Sequence, residues 1–269
     1  MSSTLFITGA STGIGKSTAL YFKAKGWNVA ATMRDPAGHQ DLRDAGIETL
    51  ALDVTRPETI KPAVDAAIAQ FGGIDVLCNN AGYGTMGPLE AATNEQIERQ
   101  FATNVTGLIL VTREFLPHFR ARSSGVIINI SSVGGVAAFP LFSLYHGTKW
   151  AVEGLSESLN FELNPFGIRV KLVEPGRIKT DFGTRSLDIL KKPGLTAYDD
   201  FVSRFLAARS AATGAPPELV AEVIWQAATD GTGQLRYIAG DDAKFIIETR
   251  SRISQEEYNR MVRERFGVA

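Results

Sequence analysis

The sequence predicts an α/β fold built on one doubly wound, seven-stranded parallel sheet with helices on both faces. Short β-branched runs alternate with longer segments of helical periodicity, and parallel strands need such crossovers between them. Most of the runs are almost continuously apolar, which is typical of strands that are covered on both faces. The predicted strands are Thr4–Thr8, Asn28–Met33, Thr49–Val54, Ile74–Asn79, Val126–Ile130, Arg169–Val173 and Leu235–Ile238.

Helical periodicity and capping signals occupy the segments between the strands. Over Pro57–Phe71 the apolar residues fall on one helical stripe. Thr93, with Gln96 three residues later, indicates a capping box that opens a second helix. Apolar positions recur from there to Phe115, so this helix is predicted to run through Asn104.

Two stretches depart from the alternation of strands and helices. Residues 177–217 show no strand signal but are rich in apolar and aromatic side chains. This insertion is predicted to be helical and to form either a lid over a substrate site or additional packing. Residues 241–269 are predicted to form a charged helical tail that covers either the core or a neighbouring subunit. No repeat or linker divides the chain, so one domain is expected.

Composition narrows the functional classes. Apolar residues make up 44% and charged residues 21% of the chain, which is ordinary for a soluble globular protein. The net charge of −1 gives no reason to expect a nucleic acid or an anionic membrane surface as a partner. Three histidines and the single Cys78 are too few and too scattered for a metal site. Without a targeting segment or an apolar run of about 20 residues, a cytoplasmic location is expected.

A glycine-rich turn follows the first predicted strand directly. Glycine permits a tight strand-to-helix turn and lets the backbone approach a pyrophosphate, which the N–H groups at the helix start then bind. A tight loop without a ligand is the alternative, but the position between the first strand and the first helix favours nucleotide binding. The candidate residues of this turn are Gly9, Ser11, Thr12, Gly13, Ile14 and Gly15.

With Thr8 in front, this turn resembles the Thr-Gly-x-x-x-Gly-Ile-Gly signature of the short-chain dehydrogenase/reductase family. The resemblance spans nearly the whole chain and weakens after about Lys179. It implies a Rossmann-like fold in which residues 1–269 form one dinucleotide-binding and catalytic domain. A nicotinamide nucleotide is then expected across the carboxyl ends of the strands.

Three further segments match the cofactor-binding pattern of that family. The resemblance implies that Asp53-Val54 binds the adenine and that Asn80-Ala81-Gly82 packs against the adenine-ribose part. It also implies that Pro175, Gly176, Ile178 and Thr180 meet the nicotinamide carboxamide. For Asp53 alone, an aspartate in an ordinary strand-to-helix turn is an equally good interpretation.

The end of the second strand determines the choice of cofactor. Met33 occupies the position where NAD-preferring relatives carry an acid that bonds the ribose hydroxyl. The next residue, Arg34, has a guanidinium group that suits a phosphate. NADP(H) is therefore the predicted cofactor, with NAD(H) as the alternative. The alternative is that Arg34 is a solvated surface residue whose charge is neutralised by Asp35. In that case the residue would give no reason to prefer NADP(H).

Tyr145 and Lys149 stand four residues apart, on one face of the segment if it is helical. Carbonyl reduction needs a proton donor at the nascent alkoxide, and alcohol oxidation needs a base at the same place. The pKa of a free tyrosine is about 10. A nearby ammonium group and the cationic oxidised nicotinamide both favour tyrosinate and would lower that pKa.

The family resemblance implies two further catalytic residues. Ser132, thirteen positions before Tyr145, matches the catalytic serine that bonds the substrate oxygen, and we favour it over Ser131 on this spacing. Asn104 matches the fourth member, which kinks its helix and holds a water that links to the lysine. A solvated polar residue of the helix is the alternative for Asn104. The pair Gly147-Thr148 departs from the Ala-Ser that the family often has before the lysine.

The stretch Ala30–Pro36 and the long tail resemble the branch of the family that includes 17β-hydroxysteroid and retinol dehydrogenases. This resemblance implies an apolar ketone, aldehyde or secondary alcohol as substrate, and it places Val133, Gly134 and Phe139 in the pocket beside Ser132 and Tyr145. From the sequence alone Phe142, Phe182 and Leu187 are added, and core packing is the alternative for the aromatic side chains of the predicted pocket. His146 is expected at the pocket rim or an interface, because it points about 100° away from Tyr145 on a helix.

The family resemblance also implies a homodimer or homotetramer, formed through the helices that contain Phe101–Phe115 and Val152–Leu163. Two rival functions remain: a nucleotide-binding sensor without turnover, and a nucleotide-sugar epimerase that also uses a Tyr-x3-Lys pair. The presence of all four catalytic residues disfavours the sensor. The different glycine spacing and the absence of a larger substrate domain disfavour the epimerase. Net consumption of cofactor distinguishes a dehydrogenase from both.

Overall fold

The computed structural model describes residues 2–180, 186–210 and 214–267. Seven parallel strands form one sheet in the order β3-β2-β1-β4-β6-β7-β9, so the predicted doubly wound α/β fold is confirmed. Two further strands, β5 and β8, form a small parallel sheet of their own. The strands are β1 Thr4–Ile7, β2 Asn28–Met33, β3 Glu48–Ala51, β4 Val76–Asn79, β5 Gly84–Met86, β6 Gly125–Ile130, β7 Ile168–Pro175, β8 Leu187–Ile189 and β9 Arg236–Ala239.

Helices connect the strands and cover both faces of the large sheet. A five-residue π-helical turn, Ala102–Thr106, separates two of them. The α-helices are α1 Gly13–Ala24, α2 Gln40–Asp44, α3 Pro57–Phe71, α4 Asn94–Phe101, α5 Gly107–Arg122, α6 Ser143–Leu163, α7 Asp199–Ser210, α8 Pro217–Thr229, α9 Asp241–Arg252 and α10 Gln255–Phe266. None of these described helices is long and apolar enough to cross a lipid bilayer.

Alternation along the strands distributes the core between the two faces of the sheet. In β1, Leu5 and Ile7 pack with α1 and α8 on one face, while Phe6 packs with α3 and α5 on the other. All three side chains are fully buried. Successive side chains of a strand point to opposite faces, so an apolar run without alternation indicates a sheet that is covered twice.

The strand order reverses between β1 and β4. From β1 the chain builds outward through β2 to β3, and then α3 carries it back to the opposite side of β1. The connections that leave the carboxyl ends of β1 and β4 therefore diverge and open a crevice, where ligands bind in sheets of this kind. The glycine-rich turn after β1 lies at this crevice.

The prediction that the insertion of residues 177–217 lacks a strand is wrong. Leu187–Ile189 pairs in parallel with Gly84–Met86, with Leu187 opposite Gly84. A three-residue strand is too short to show a period in the sequence, and its partner lies about a hundred residues earlier. The rest of the described insertion contains helix α7.

The C-terminal helices α9 and α10 pack against the same chain. The hydroxyl of Tyr258 in α10 donates to the carbonyl oxygen of Ala138 at 3.1 Å. The ring of Phe266, at the end of α10, lies 4.9 Å from that of Phe205 in α7. The tail therefore contacts the segment that follows β6 and the helix of the insertion.

Candidate functional site

The glycine-rich turn has a backbone that only small residues can form. Gly9 and Gly13 adopt φ angles of +68° and +56°, in the left-handed region that favours glycine. A Cβ on Gly9 would lie 2.8 Å from the Cα of Ala81. A Cβ on Gly15 would lie 2.4 Å from the carbonyl oxygen of Gly9 and 2.5 Å from Nδ2 of Asn80. The turn is therefore packed closely against the segment that follows β4.

Hydrogen bonds hold these two segments together. Nδ2 of Asn80 donates to the carbonyl oxygens of Thr8 and Gly9 at 2.9 and 3.0 Å. Oγ1 of Thr8 accepts from the backbone N–H groups of Asn80 and Ala81, both at 3.0 Å. Thr8 was not among the predicted site residues, although a buried threonine that ends an apolar strand is a signal for it.

The start of α1 is open to an anion. Thr12 caps the helix in an extended conformation without a side-chain cap bond, and the first turn carries no acidic residue. The N–H groups of this turn are therefore available to a phosphate. The side chain of Thr180 lies next to the same turn. A Cβ atom added to Gly13 would lie 3.3 Å from it. The predicted residues Ser11 and Ile14 belong to this turn, which fits the pyrophosphate of a dinucleotide.

At the end of β2, Met33 is buried and Arg34 is exposed. In the described part of the chain Arg34 has no hydrogen-bond or ion-pair partner. Asp35 does not neutralise it, since the Asp35 carboxylate instead accepts from the N–H of Ala37 at 3.0 Å. Arg34 thus presents an unpaired guanidinium next to the crevice.

Asp53 and Val54 follow β3, at the same carboxyl edge of the sheet as the glycine-rich turn after β1. Oδ1 of Asp53 accepts from the backbone N–H and the hydroxyl of Thr55 at 2.9 and 2.7 Å, which is the turn geometry of the alternative interpretation. Val54 is buried, and a Cβ on Gly107 at the start of α5 would lie 2.8 Å from its carbonyl oxygen. The assignment of both residues to an adenine stays a prediction.

Strand β7 ends at Pro175, and Gly176 follows it beside β9. The N–H of Gly176 donates to the carbonyl oxygen of Ala239 at 2.9 Å, and a Cβ on Gly176 would overlap the carboxylate of Asp242. Asp242 also accepts from the backbone N–H of Arg177 at 2.7 Å. Ile178 packs against the core beside α1 and bridges to Ala215. This segment therefore returns to the crevice near Thr180.

Ser132 and Tyr145 meet at the end of β6. The side chain of Ser132 interacts with the phenol of Tyr145, and Oγ of Ser132 accepts from the N–H of Gly134 at 3.0 Å. Burial raises the pKa of Tyr145 to about 12, and the interaction with Ser132 acts in the opposite direction. The hydroxyl of Ser131 points elsewhere and has no partner among the described residues. The structure thus places Ser132, rather than Ser131, at Tyr145.

Lys149 lies one helical turn after Tyr145 in α6. Its Nζ donates to the carbonyl oxygen of Ile130 at 2.8 Å and lies 5.8 Å from the centroid of the Tyr145 ring. Burial lowers the pKa of Lys149 to about 8, while the carboxylate of Glu153 raises it. The ammonium group is therefore buried beside the phenol, as the helical spacing predicts.

Asn104 is the buried centre of the π-helical turn, so it is not a solvated residue of the helix. Its Oδ1 accepts from the N–H of Tyr83 at 3.1 Å, and its Nδ2 donates to the carbonyl oxygen of the same residue at 2.9 Å. Nδ2 also donates to Oγ1 of Thr148 at 3.1 Å, and that hydroxyl donates to the carbonyl oxygen of Tyr145 at 2.7 Å. The threonine that departs from the family pattern thus connects Asn104 to Tyr145.

The expectation that His146 lies at the pocket rim or an interface is wrong. Its ring is buried, Nε2 accepts from the N–H of Phe139 at 3.0 Å, and Nδ1 donates to the carbonyl oxygen of Gly134 at 2.8 Å. These two bonds assign a neutral ring, and burial lowers the pKa of His146. His146 therefore fixes the segment that follows Ser132. Its bonding pattern could not be read from the helical spacing alone.

An apolar cluster lies beside Tyr145 and includes three of the predicted pocket residues. Phe139, Phe142 and Leu187 are joined there by residues that the sequence did not assign to the pocket. Val133 and Gly134 are buried nearby, after Ser132. The predicted Phe182 lies outside the described residues. The additional members of the cluster are Met86, Leu141, Phe201, Val202, Phe205, Val262 and Phe266.

A cleft of about 600 Å³ is formed mainly by α10, α7 and the segment Ala138–Pro140. None of Asn104, Ser132, Tyr145 and Lys149 lines it. This cleft is therefore separate from the four candidate catalytic residues. In the described ranges no group of three or more His, Cys, Asp or Glu side chains could hold a metal ion.

Comparison with known sequences identifies relatives over most of the chain. A sequence model of the family described as short chain dehydrogenase matches residues 3–188. An uncharacterized oxidoreductase of Schizosaccharomyces pombe is 40% identical over 245 residues, which cover 88% of this chain and 100% of the relative. A 3-ketodihydrosphingosine reductase of Bacteroides thetaiotaomicron is 40% identical over 202 residues, which cover 75% of this chain and 72% of the relative.

Solved structures share the fold. A short-chain dehydrogenase from Streptomyces avermitilis has a TM-score of 0.85 at 34% identity, over 98% of each chain. A 3-ketoacyl-(acyl-carrier-protein) reductase from Brucella melitensis, solved with NADH, has a TM-score of 0.74 at 27% identity, over 88% of this chain and 95% of that one. ElxO, solved with NADP, has a TM-score of 0.71 at 28% identity, over 88% and 98%.

Proposed function

Because the chain belongs to the short-chain dehydrogenase/reductase family of oxidoreductases, we propose that it transfers a hydride between NADP(H) and an apolar ketone, aldehyde or secondary alcohol. The observation that carries the proposal is the interaction of the Ser132 side chain with the buried phenol of Tyr145, with the buried ammonium of Lys149 5.8 Å from the same ring. A donor, an acid/base and a cation at one point are what carbonyl reduction requires.

In the reductive direction, Tyr145 donates its phenolic proton to the substrate oxygen as the carbonyl is reduced. Ser132 donates a hydrogen bond to the same oxygen and stabilises the charge that develops on it. Burial, which raises the pKa of Tyr145, keeps this acid protonated until it is needed. The nicotinamide nucleotide supplies or accepts the hydride when bound.

In the oxidative direction, Tyr145 acts as the base and must first lose its proton. The interaction with Ser132 and the positive charge of Lys149 both favour the phenolate. Lys149 also has the predicted role of a ribose ligand, and Asn104 supports a water-linked proton relay to it. The fixed contacts of Asn104 with Tyr83 and Thr148 support this positioning role.

The proposed preference for NADP(H) rests on Arg34, which is exposed at the end of β2 without a partner among the described residues. The proposed apolar substrate is supported by the aromatic cluster beside Tyr145. The name of the Bacteroides thetaiotaomicron relative, a 3-ketodihydrosphingosine reductase, supports reduction of a keto group.

The test is the absorbance of reduced nicotinamide during incubation with a panel of apolar ketones and aldehydes. We expect the wild-type protein to oxidise NADPH and Tyr145→Phe to lose about 10²–10⁴-fold in turnover, because the proton donor is removed. Tyr21→Phe, on α1 away from the site, is the matched control and should keep wild-type turnover. Near-normal turnover by Tyr145→Phe would contradict the assignment. Tight NADPH binding without net consumption would favour the sensor or epimerase.

A further inference from the structure

Arg209, near the end of α7, carries a partly buried positive charge beside the aromatic cluster. Its Nη1 donates to the sulfur of Met86 at 3.2 Å, and its guanidinium carbon lies 5.0 Å from the centroid of the Phe142 ring. A thioether is a weak acceptor, and a ring face attracts the cation without accepting several bonds. In the described ranges no oxygen atom accepts from this guanidinium, which is an unfavourable state for a partly buried charge.

A second arginine adds to this positive charge. Nη1 of Arg177 donates to the backbone carbonyl oxygen of Arg209 at 2.6 Å. Asp242 accepts from the backbone N–H of Arg177, not from its guanidinium, so it does not neutralise the pair. Burial lowers the pKa of Arg209, and the like charge of Arg177 lowers it further. Within the described residues, neither guanidinium has an ion-pair partner.

The two arginines lie at the edge of the proposed substrate site. The ring of Phe142, on which the Arg209 guanidinium rests, lies 6.2 Å from the ring of Tyr145. Met86, the other contact of Arg209, belongs to the same apolar cluster as Tyr145. One aromatic ring therefore separates the unpaired guanidinium from the proposed acid/base.

We propose that the substrate carries an anionic group, a carboxylate or a phosphate, at the far end of its apolar body, and that Arg209 binds this group. The planar guanidinium matches two oxygens of either anion, and Arg177 adds attraction through its charge. The apolar body then lies along Phe142, with the carbonyl at Tyr145. This inference rests on the proposed function, because it names the class of substrate for that site.

The kinetic test compares octanal with 8-oxooctanoate, which differ only in the terminal carboxylate. We expect the wild-type protein to prefer 8-oxooctanoate by about tenfold or more in kcat/KM, mainly through KM, since a charged hydrogen bond is gained. Arg209→Met keeps the packing on Phe142 and should reduce the ratio to about one. Arg209→Lys should keep part of it. Arg204→Met, on the same helix, removes an equal charge and should leave the ratio unchanged.

A binding test is independent of turnover. Isothermal titration calorimetry of the NADPH-loaded protein should show octanoate and octyl phosphate binding about tenfold tighter than 1-octanol, and Arg209→Met should abolish this difference. The order of the two anions distinguishes a carboxylate from a phosphate substrate. Equal binding of octanoate, octyl phosphate and 1-octanol to the wild-type protein would overturn the inference.

The two proposals can fail separately. Octanal turnover that depends on Tyr145, without any preference for 8-oxooctanoate, would overturn the anionic substrate and keep the proposed reductase. A preference that Arg209→Met leaves intact would overturn the role of Arg209. A tenfold weaker affinity of Arg209→Met for NADPH with unchanged selectivity would instead place this residue at the cofactor.

Discussion

At the scale of single residues, the environment of the proposed catalytic pair shifts both groups toward their neutral forms. Burial raises the pKa of Tyr145 to about 12 and lowers that of Lys149 to about 8. Burial disfavours any charge, so the two pKa values move in opposite directions for the same reason. The formation of tyrosinate therefore depends on the charges that surround it during the reaction.

Arg34 provides the residue-scale prediction. We expect Arg34→Ala to lower kcat/KM with NADPH by about tenfold or more and to leave the value with NADH nearly unchanged, because a charged bond to the 2′-phosphate is lost. Steady-state kinetics with both nucleotides measure this effect. Arg56→Ala, an exposed arginine paired with Glu58 in α3, is the matched control. Equal efficiency of the wild-type protein with NADPH and NADH would show the assignment to be wrong.

At the scale of elements, the break between α4 and α5 illustrates how a tertiary contact changes a helix. The apolar period predicts one continuous helix through Asn104, but the structure forms a π-helical turn over Ala102–Thr106. Both polar groups of the Asn104 side chain are bonded to Tyr83, and one is also bonded to Thr148. Single π-helical turns inside α-helices occur frequently at functional sites.

A second element-scale feature is a buried acidic pair between α6 and β7. Glu153 and Glu174 are both buried, and Nε of Arg236 in β9 lies 3.1 Å from an oxygen of Glu153 and 3.5 Å from one of Glu174. Burial and the charge of Glu153 raise the pKa of Glu174 to about 7, although Arg236 opposes this. Two carboxylates thus share one cation in the interior.

This acidic pair predicts a pH-dependent stability. A carboxyl group whose pKa is raised on folding binds its proton more tightly when folded, so the free energy of unfolding falls as the pH rises toward about 7. From an unfolded pKa of about 4.3, the total loss is roughly 4 kcal/mol, of which roughly 3 kcal/mol falls between pH 5 and pH 8. We expect Glu174→Gln, which stays neutral, to remove this decline. Urea unfolding of both proteins at pH 5 and pH 8 measures the difference.

The control for this prediction is Glu157→Gln. Glu157 is exposed on α6 and bonds the same Arg236 at 2.9 Å, so it tests the loss of an ion pair without burial. That variant should keep the wild-type dependence on pH. If Glu174→Gln and the wild-type protein lost equal stability between the two pH values, Glu174 would not hold a proton in the folded protein.

At the scale of the whole molecule, exposed apolar side chains on α5 and α6 support the expected homodimer or homotetramer. Phe161 is 72% exposed on α6, and Ile109 on α5 is 39% exposed. Contiguous apolar patches mark interaction surfaces, and α5 and α6 are the two helices through which the family resemblance implies assembly. We expect Phe161→Glu to shift the protein toward a smaller oligomer, because a charge would be buried there. Light scattering after size exclusion measures the mass.

Phe245→Glu on α9 is the matched control, since Phe245 is 63% exposed on a different surface. It should leave the mass of the assembly unchanged. A monomeric wild-type protein, or an unchanged mass for Phe161→Glu, would contradict the proposed interface.

The sequence by itself determined the parallel sheet, the position of the glycine turn and the segments that should carry the cofactor and the catalytic residues. These features are local: a periodic run, a turn that needs glycine, and a tyrosine and a lysine one helical turn apart. For the same reason, helical spacing identified Tyr145 and Lys149 as a pair, whereas Ser132 and Asn104 were assigned through the family resemblance.

Only the tertiary structure decided which polar atoms are paired and which remain without partners. It buried His146, connected Asn104 to Thr148, paired β5 with β8, and left Arg209 on the ring of Phe142 without an acid. Each of these contacts joins segments whose relation depends on packing, which no period or spacing encodes. Because desolvation and pairing set the chemistry of a charged group, its function follows from the folded surroundings rather than from its residue type.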